Sequence, residues 1–157
     1  MQKEWIPAIS KMTYGIYVLT SSFNDEINGM FASWVSQISY DPPLVMVAVH
    51  INRYSHKLIE QGGVFALHAL TRNQDHYLSR LKGPDPAAKF TGIEWENGQT
   101  GCPILKDCAA YIECRVRETL KPGNHTLFIG EIVAARLIAD KEMLSTLDYK
   151  GVYLGDK

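Results

Sequence analysis

Cysteine is scarce in this chain of 157 residues: there are three, an odd number, at 102, 108 and 114. Their spacing contains no C-x-x-C pair, and no histidine pair stands nearby. Neither a disulfide framework nor a thiolate-bound metal organises the molecule. A charge excess is missing as well. Sixteen Lys and Arg stand against seventeen Asp and Glu, for a formal net charge of −1. That balance has nothing to draw a nucleic acid or an anionic membrane surface. No apolar run reaches the roughly 20 residues of a membrane helix. The first residues, Met-Gln-Lys-Glu-Trp, show no secretory pattern. G-x-S-x-G, the Walker loop and G-x-G-x-x-G are absent, so nothing marks a hydrolase, a P-loop or a Rossmann unit. The expectation is a reduced, cytoplasmic protein with no nucleic-acid and no membrane partner. Repeats and linkers are absent too, and residues 1–157 read as one domain.

What is present is strand pattern. Hydrophobic residues make up 46% and charged residues 21%, an ordinary balance for a buried core. Tyr14–Ser21 is rich in β-favouring Ile, Val, Tyr and Thr, and Phe23–Glu26 reads as a turn. Asn28–Ser39 reads as its partner strand, ended by Pro42-Pro43. Leu44–His50 and Val64–Leu70 are short apolar strands. Ser55–Gln61 reads as a helix, with Ser55 as N-cap and Gly62 as its stop. Asp75–Leu81 reads as another, with Tyr77, Leu78 and Leu81 on one face. Residues 85–107 read as loop. Ala109–Leu120 alternates, with Ile112, Cys114 and Val116 inward. His125–Ile138 is long enough to need a bend or bulge, placed at Gly130. Tyr149–Leu154 would close the sheet. Many strands and few short helices favour a barrel over a parallel α/β sheet.

Three segments have the composition of a site. On Asn28–Ser39, Met30, Ala32, Trp34, Ser36 and Ile38 share one face, and Phe31, Ser33, Val35, Gln37 and Ser39 the other. A solvated face normally carries charge. This one carries hydroxyls and amides, which suits a polar, uncharged ligand close to the backbone. Asn52-Arg53-Tyr54-Ser55-His56-Lys57 joins a strand end to a helix N-terminus, where backbone N–H groups and the helix dipole favour a phosphate. A capped surface helix with solvated charges has the same sequence. Gly123-Asn124-His125 follows a turn and opens an apolar strand. Its histidine either faces a cavity or is satisfied at the strand end.

Taken in order, several pieces resemble the flavin reductase-like FMN-binding split-barrel family. They are Tyr14–Ser21, Gly29–Trp34, Ser39–Pro43, Asn52–Ser55, Phe65–Leu67, Lys89–Gly92, Glu113–Val116 and Gly123–Glu131. The resemblance covers roughly residues 11–154. It implies a mainly β fold, an antiparallel split β-barrel of Greek-key type with a few short helices. It implies a homodimer with FMN near the dimer interface. Met30, Ala32, Ser33, Trp34, Val35, Ser36, Gln37 and Ser39 would line the flavin ring, and Asn52, Arg53, Ser55 and His56 would sit at its phosphate. His125 would be the catalytic residue, where nicotinamide approaches. Asn124 stands where the family has Asp, and Met30-Phe31 replaces a more polar start. The implied activity is hydride transfer from NADH or NADPH to flavin, serving a separate oxygenase or redox protein. An FMN electron carrier of flavoredoxin type, passing electrons to a redox protein or ferric acceptor, is the alternative.

Overall fold

The structure, a computed structural model, describes residues 2–148. The expected closing strand at Tyr149–Leu154 lies outside the described residues. Nine strands follow in chain order: β1 Tyr17–Phe23, β2 Glu26–Ala32, β3 Val35–Ser39, β4 Leu44–His50, β5 Val64–Ala69, β6 Trp95–Asn97, β7 Pro103–Leu105, β8 Ala110–Leu120 and β9 His125–Leu137. The α-helices are α1 Ile6–Ile9, α2 Tyr54–Gly62, α3 Tyr77–Arg80 and α4 Pro86–Lys89.

Seven strands form one antiparallel sheet in the order β2-β1-β5-β8-β9-β4-β3, and β6 with β7 forms a separate ribbon. The two edge strands, β2 and β3, are consecutive in the chain and separated only by Ser33-Trp34. Laid flat at about 4.8 Å per strand, the edges would be roughly 29 Å apart. The link from Ala32 to Val35 reaches at most roughly 11 Å. The sheet must therefore roll up until its edges face each other. They do not pair, so the barrel is split along this crossing. Asn28–Ser39 is thus two strands rather than one, and the expected alternation of faces does not run through it. β2 pairs with β1, while β3 pairs with β4. No Gly or Pro marks the break; barrel closure imposes it.

Rolling buries both faces of the central strands. Val18 and Leu19 point to opposite sides, as period two requires. Leu19, Val45, Val47, Phe65, Cys114 and Phe128 fill the barrel. Val18, Leu70, Tyr77, Leu81, Phe90, Leu105 and Leu144 form a second core outside it. Cys114 is inward as expected, with Ile112 and Val116 packed against the barrel core. Gly130 leaves room for this core: a Cβ there would lie 2.7 Å from Phe65 and from Cys114. The irregularities in β8–β9 fall opposite Gly130 at Arg117 and further along at Val133, rather than at the glycine itself.

Local chemistry accounts for the remaining elements. Asn24, at φ +54°, makes the tight β1–β2 turn. Helix α2 ends one residue later than expected, with Gly63 at φ +65° as its left-handed cap. Its N-cap is Arg53, and Ser55 lies inside the first turn with its hydroxyl engaged elsewhere. Residues 85–107, expected to be loop, hold α4 and the β6–β7 ribbon. Asp85 caps α4 by accepting from the Ala87 N–H at 3.0 Å, and Pro86 opens it. Buried Glu113 anchors the turn before β7, accepting from Thr100 N–H and Oγ1, both at 2.7 Å. Beyond β9, Leu144 bridges Ile16 and Leu70 through backbone hydrogen bonds, which lays residues 142–146 across the outer core. Among the described residues, no helix is long and apolar enough to cross a membrane.

Candidate functional site

The split in the barrel opens into a cavity of about 510 Å³. One wall is the crossing itself, from Met30 to Trp34. Ala48 and His50 come from the end of β4, and Asn52, Arg53 and Tyr54 from the turn into α2. Asn28 and Lys89 close the inner end, and Lys82, Gly83 and Pro84 the outer rim. Three cationic side chains line the cavity, Arg53, Lys82 and Lys89, and no described Asp or Glu does. The lining combines these cations with a neutral, aromatic and hydroxyl-bearing surface.

The inner end is a built polar cluster. Lys89 Nζ donates to Asn28 Oδ1 at 3.0 Å and to the Gly29 carbonyl at 3.1 Å. Asn28 Nδ2 in turn donates to Ser55 Oγ at 2.8 Å. Lys89 is only 9% exposed, and Asn28 and Ser55 are more deeply buried. Burial, and then the nearby Arg53 guanidinium, push the Lys89 ammonium below its ordinary pKa. Arg53 is held by its backbone: its N–H donates to the His50 carbonyl at 2.9 Å, and its own carbonyl accepts from His56 N–H.

Two histidines near Trp34 and Arg53 have defined tautomers. His50 Nδ1 accepts from Asn52 N–H at 3.1 Å, so the proton of the neutral ring is on Nε2. His125 Nδ1 lies 2.8 Å from Asn124 Oδ1 and donates to it. The His125 ring stacks tilted on Trp34 at 4.7 Å and meets His50 edge-on at 5.0 Å. Burial, followed by the charges of His50 and Arg53, lowers the His125 pKa and favours its neutral ring. His125 thus packs on Trp34, and His50 packs on His125.

Of the residues singled out in the sequence, Met30, Ala32, Ser33, Trp34, Asn52 and Arg53 line the cavity together. Val35, Ser36, Gln37 and Ser39 lie beyond the crossing on β3. Ser36 and Gln37 are exposed, and their side chains bond the strand's own backbone at 3.0 and 3.3 Å. Ser55 and His56 are buried and do not line the cavity. Ser55 serves Asn28, and His56 Nε2 lies 2.7 Å from Thr126 Oγ1. His125 contacts the wall residues Trp34 and His50 without lining the cavity. Asn28, His50, Tyr54, Lys82 and Lys89 also line the cavity and were not among the expected site residues, although Tyr54 lies in the basic turn and Lys89 in one of the resembling segments. A buried amide in mid-strand was a usable signal for Asn28. Lys89 in a one-turn helix reads as any solvated lysine. The cysteines are unpaired and buried, with Cys108 and Cys114 pushed up to about 12, which removes them as nucleophiles.

Comparison with known proteins gives a consistent result. The family model described as "Flavin reductase like domain" matches residues 9–154. A high molecular weight rubredoxin of Moorella thermoacetica is 31% identical over 94% of the chain and 66% of its own length. A ferric-chelate reductase (NAD(P)H) of Archaeoglobus fulgidus is 31% identical over 92% of the chain and 88% of its own. The flavin reductase component of a bacterial two-component tryptophan halogenase has a solved structure with a TM-score of 0.81, at 25% identity over 91% of each chain.

Proposed function

We infer the function from one premise: the chain belongs to the flavin reductase like domain family. On that premise the protein is an FMN-binding NAD(P)H:flavin oxidoreductase. The observation that carries the reading is the cavity at the barrel split, which joins a neutral aromatic wall to cations with no described carboxylate among its lining. That donor set fits a flavin mononucleotide, whose ring is uncharged and whose tail ends in a phosphate. Bound flavin supplies the two-electron chemistry. The chain supplies position and electrostatics. Met30–Trp34 would hold the ring through backbone and hydroxyl groups. Asn52 and Arg53 would hold the phosphate, where a fork of guanidinium donors matches its oxygens. His125, neutral and packed on Trp34, would orient the incoming nicotinamide.

This reading also includes a cytoplasmic homodimer. Ile38, Tyr40 and Ile51 are exposed at 47%, 90% and 50%, close in sequence to the cavity-lining segments, and a second copy would cover them. The four β3 residues expected at the ring would then border a site shared between copies. A separate oxygenase or redox protein would receive the electrons. The rubredoxin relative favours a second reading, an FMN electron carrier that keeps its flavin. Steady-state NAD(P)H oxidation separates the two. Turnover that rises with added free flavin identifies the reductase. Turnover that requires a protein or ferric acceptor, and ignores free flavin, identifies the carrier. No NAD(P)H oxidation with any acceptor would refute the enzyme.

A further inference from the structure

Asn124 has no place in the reading above, although its side chain holds the ring on which that reading depends. Its backbone is placed without the side chain. The Asn124 carbonyl accepts from Ile51 N–H at 3.1 Å, which ties the β8–β9 turn to the end of β4. The amide Oδ1 is then aimed at His125 Nδ1, 2.8 Å away. An amide oxygen only accepts, so Nδ1 carries the ring proton and Nε2 keeps a lone pair. His50, the cross-strand partner of His125, is set the opposite way, with Nδ1 accepting from Asn52 N–H at 3.1 Å. Two imidazoles that meet edge-on at 5.0 Å are thus held by separate partners in opposite tautomers. The groups facing the His125 ring are Asn124 from its own turn, Trp34 from the crossing, His50 from β4 and the Arg53 charge from the turn before α2. Burial, then His50 and Arg53, disfavour a charge on the ring. An amide, unlike a carboxylate, brings no negative charge to offset them.

We propose that Asn124 is a positioning residue for flavin reduction: it fixes His125 in the Nδ1–H tautomer, so that Nε2 remains a hydrogen-bond acceptor while the nicotinamide binds and is oxidised. The inference rests on the reading of His125 above and adds the residue that sets its chemistry. A nicotinamide presents an amide N–H₂. A bare Nε2 accepts from that group, and the Nε2–H of an imidazolium does not.

The test has two parts. In isotope-labelled protein without flavin or nucleotide, the ring-nitrogen NMR resonances of His125, assigned by their loss in His125→Gln, report the tautomer. The wild type should show Nδ1 protonated and Nε2 bare. Asn124→Ala should release the ring to a mixture of tautomers. It should also slow reduction of bound FMN by NAD(P)H by about 2- to 10-fold, the loss of one neutral hydrogen bond. Asn124→Asp keeps the acceptor and adds a negative charge, which favours the imidazolium and should move its protonation up by about one pH unit or more. In this variant flavin reduction should fall as pH is lowered from about 8.5 to about 6.5, and match the wild type at the upper end, where the ring is neutral again. The wild type should stay flat over the same range, and both variants should bind FMN as it does. A wild type with the proton on Nε2, an Asn124→Ala ring unchanged in tautomer, an Asn124→Asp profile as flat as wild type, or a loss of FMN affinity in either variant overturns the inference and leaves the flavin reading standing. A loaded wild type that neither nucleotide reduces overturns that reading and this one with it.

Discussion

Acid should weaken the fold most strongly through one histidine, and the size of the effect follows from its surroundings. His68 lies on β5 and is fully buried between β1 and β8. Nδ1 donates to the Val18 carbonyl at 3.0 Å, while Nε2 has no hydrogen-bond partner. A second proton would have to sit on that buried, unpartnered nitrogen. Burial therefore lowers the pKa from 6.5 to about 4, against smaller opposing contributions from the Val18 carbonyl and Glu113. The sign follows. Above about pH 6.5 the ring is neutral in both folded and unfolded chains, and the full stability is present. Below that, the unfolded chain takes up the proton first, and stability falls until pH reaches about 4. At 1.36 kcal/mol per pKa unit, the loss over this window is about 3 kcal/mol. That is a large share of a typical total of roughly 5–15 kcal/mol. His68→Gln retains a donor for Val18 and cannot titrate. Urea unfolding at several values between pH 7 and 4 should show a steep loss in wild type and a shallower one in the variant, the difference being about 3 kcal/mol. Parallel slopes would refute the argument.

Other outcomes are expected at the site. Arg53→Ala should weaken FMN binding by about 10-fold, the lower end of a charge-assisted hydrogen bond because the side chain is exposed; titration of fluorescence checks it. The wild type should bind FMN more tightly than FAD, because the cations close around a terminal phosphate, and the same titration with FAD decides it. His125→Ala should leave FMN affinity nearly unchanged, since the cavity lining excludes it. The same change should slow reduction of bound flavin by NAD(P)H on the order of 100-fold through lost positioning. A variant that cannot hold FMN would contradict the role given to His125.

The strands were legible because alternating and continuous apolar runs have few other uses in a chain of this composition. The order of resembling segments added the split barrel, which periodicity alone does not specify. The break at Ser33-Trp34 was hidden because a single serine, without Gly, Pro, Asn or Asp beside it, is a weak turn signal inside an alternating run. Only the closure of the sheet, a long-range event, forces it. Helix α4 and the β6–β7 ribbon are too short to show a period. At the site, Met30 to Trp34 and Asn52-Arg53 were legible as a neutral wall beside a basic turn. Ser55 was misread as the cap because its hydroxyl suits that role equally well, and only the fold shows Asn28 claiming it. Lys89 stood in a resembling segment, but its place at the cavity could not be read from the chain. Sequence gives a lysine's charge, while its burial and the neutrality of its partners arise from β2 and α4 meeting at the cavity floor.

The central claim is that this cavity holds a flavin which NAD(P)H reduces. The direct measurement is rapid anaerobic mixing of the FMN-loaded protein with NADH and, separately, with NADPH, following the visible absorption of the bound flavin. The account predicts bleaching by at least one of the two nucleotides, with stoichiometric oxidation of the nicotinamide and recovery of the spectrum on admitting oxygen. A flavin that stays oxidised in the presence of both nucleotides, in protein shown to be loaded, would contradict it.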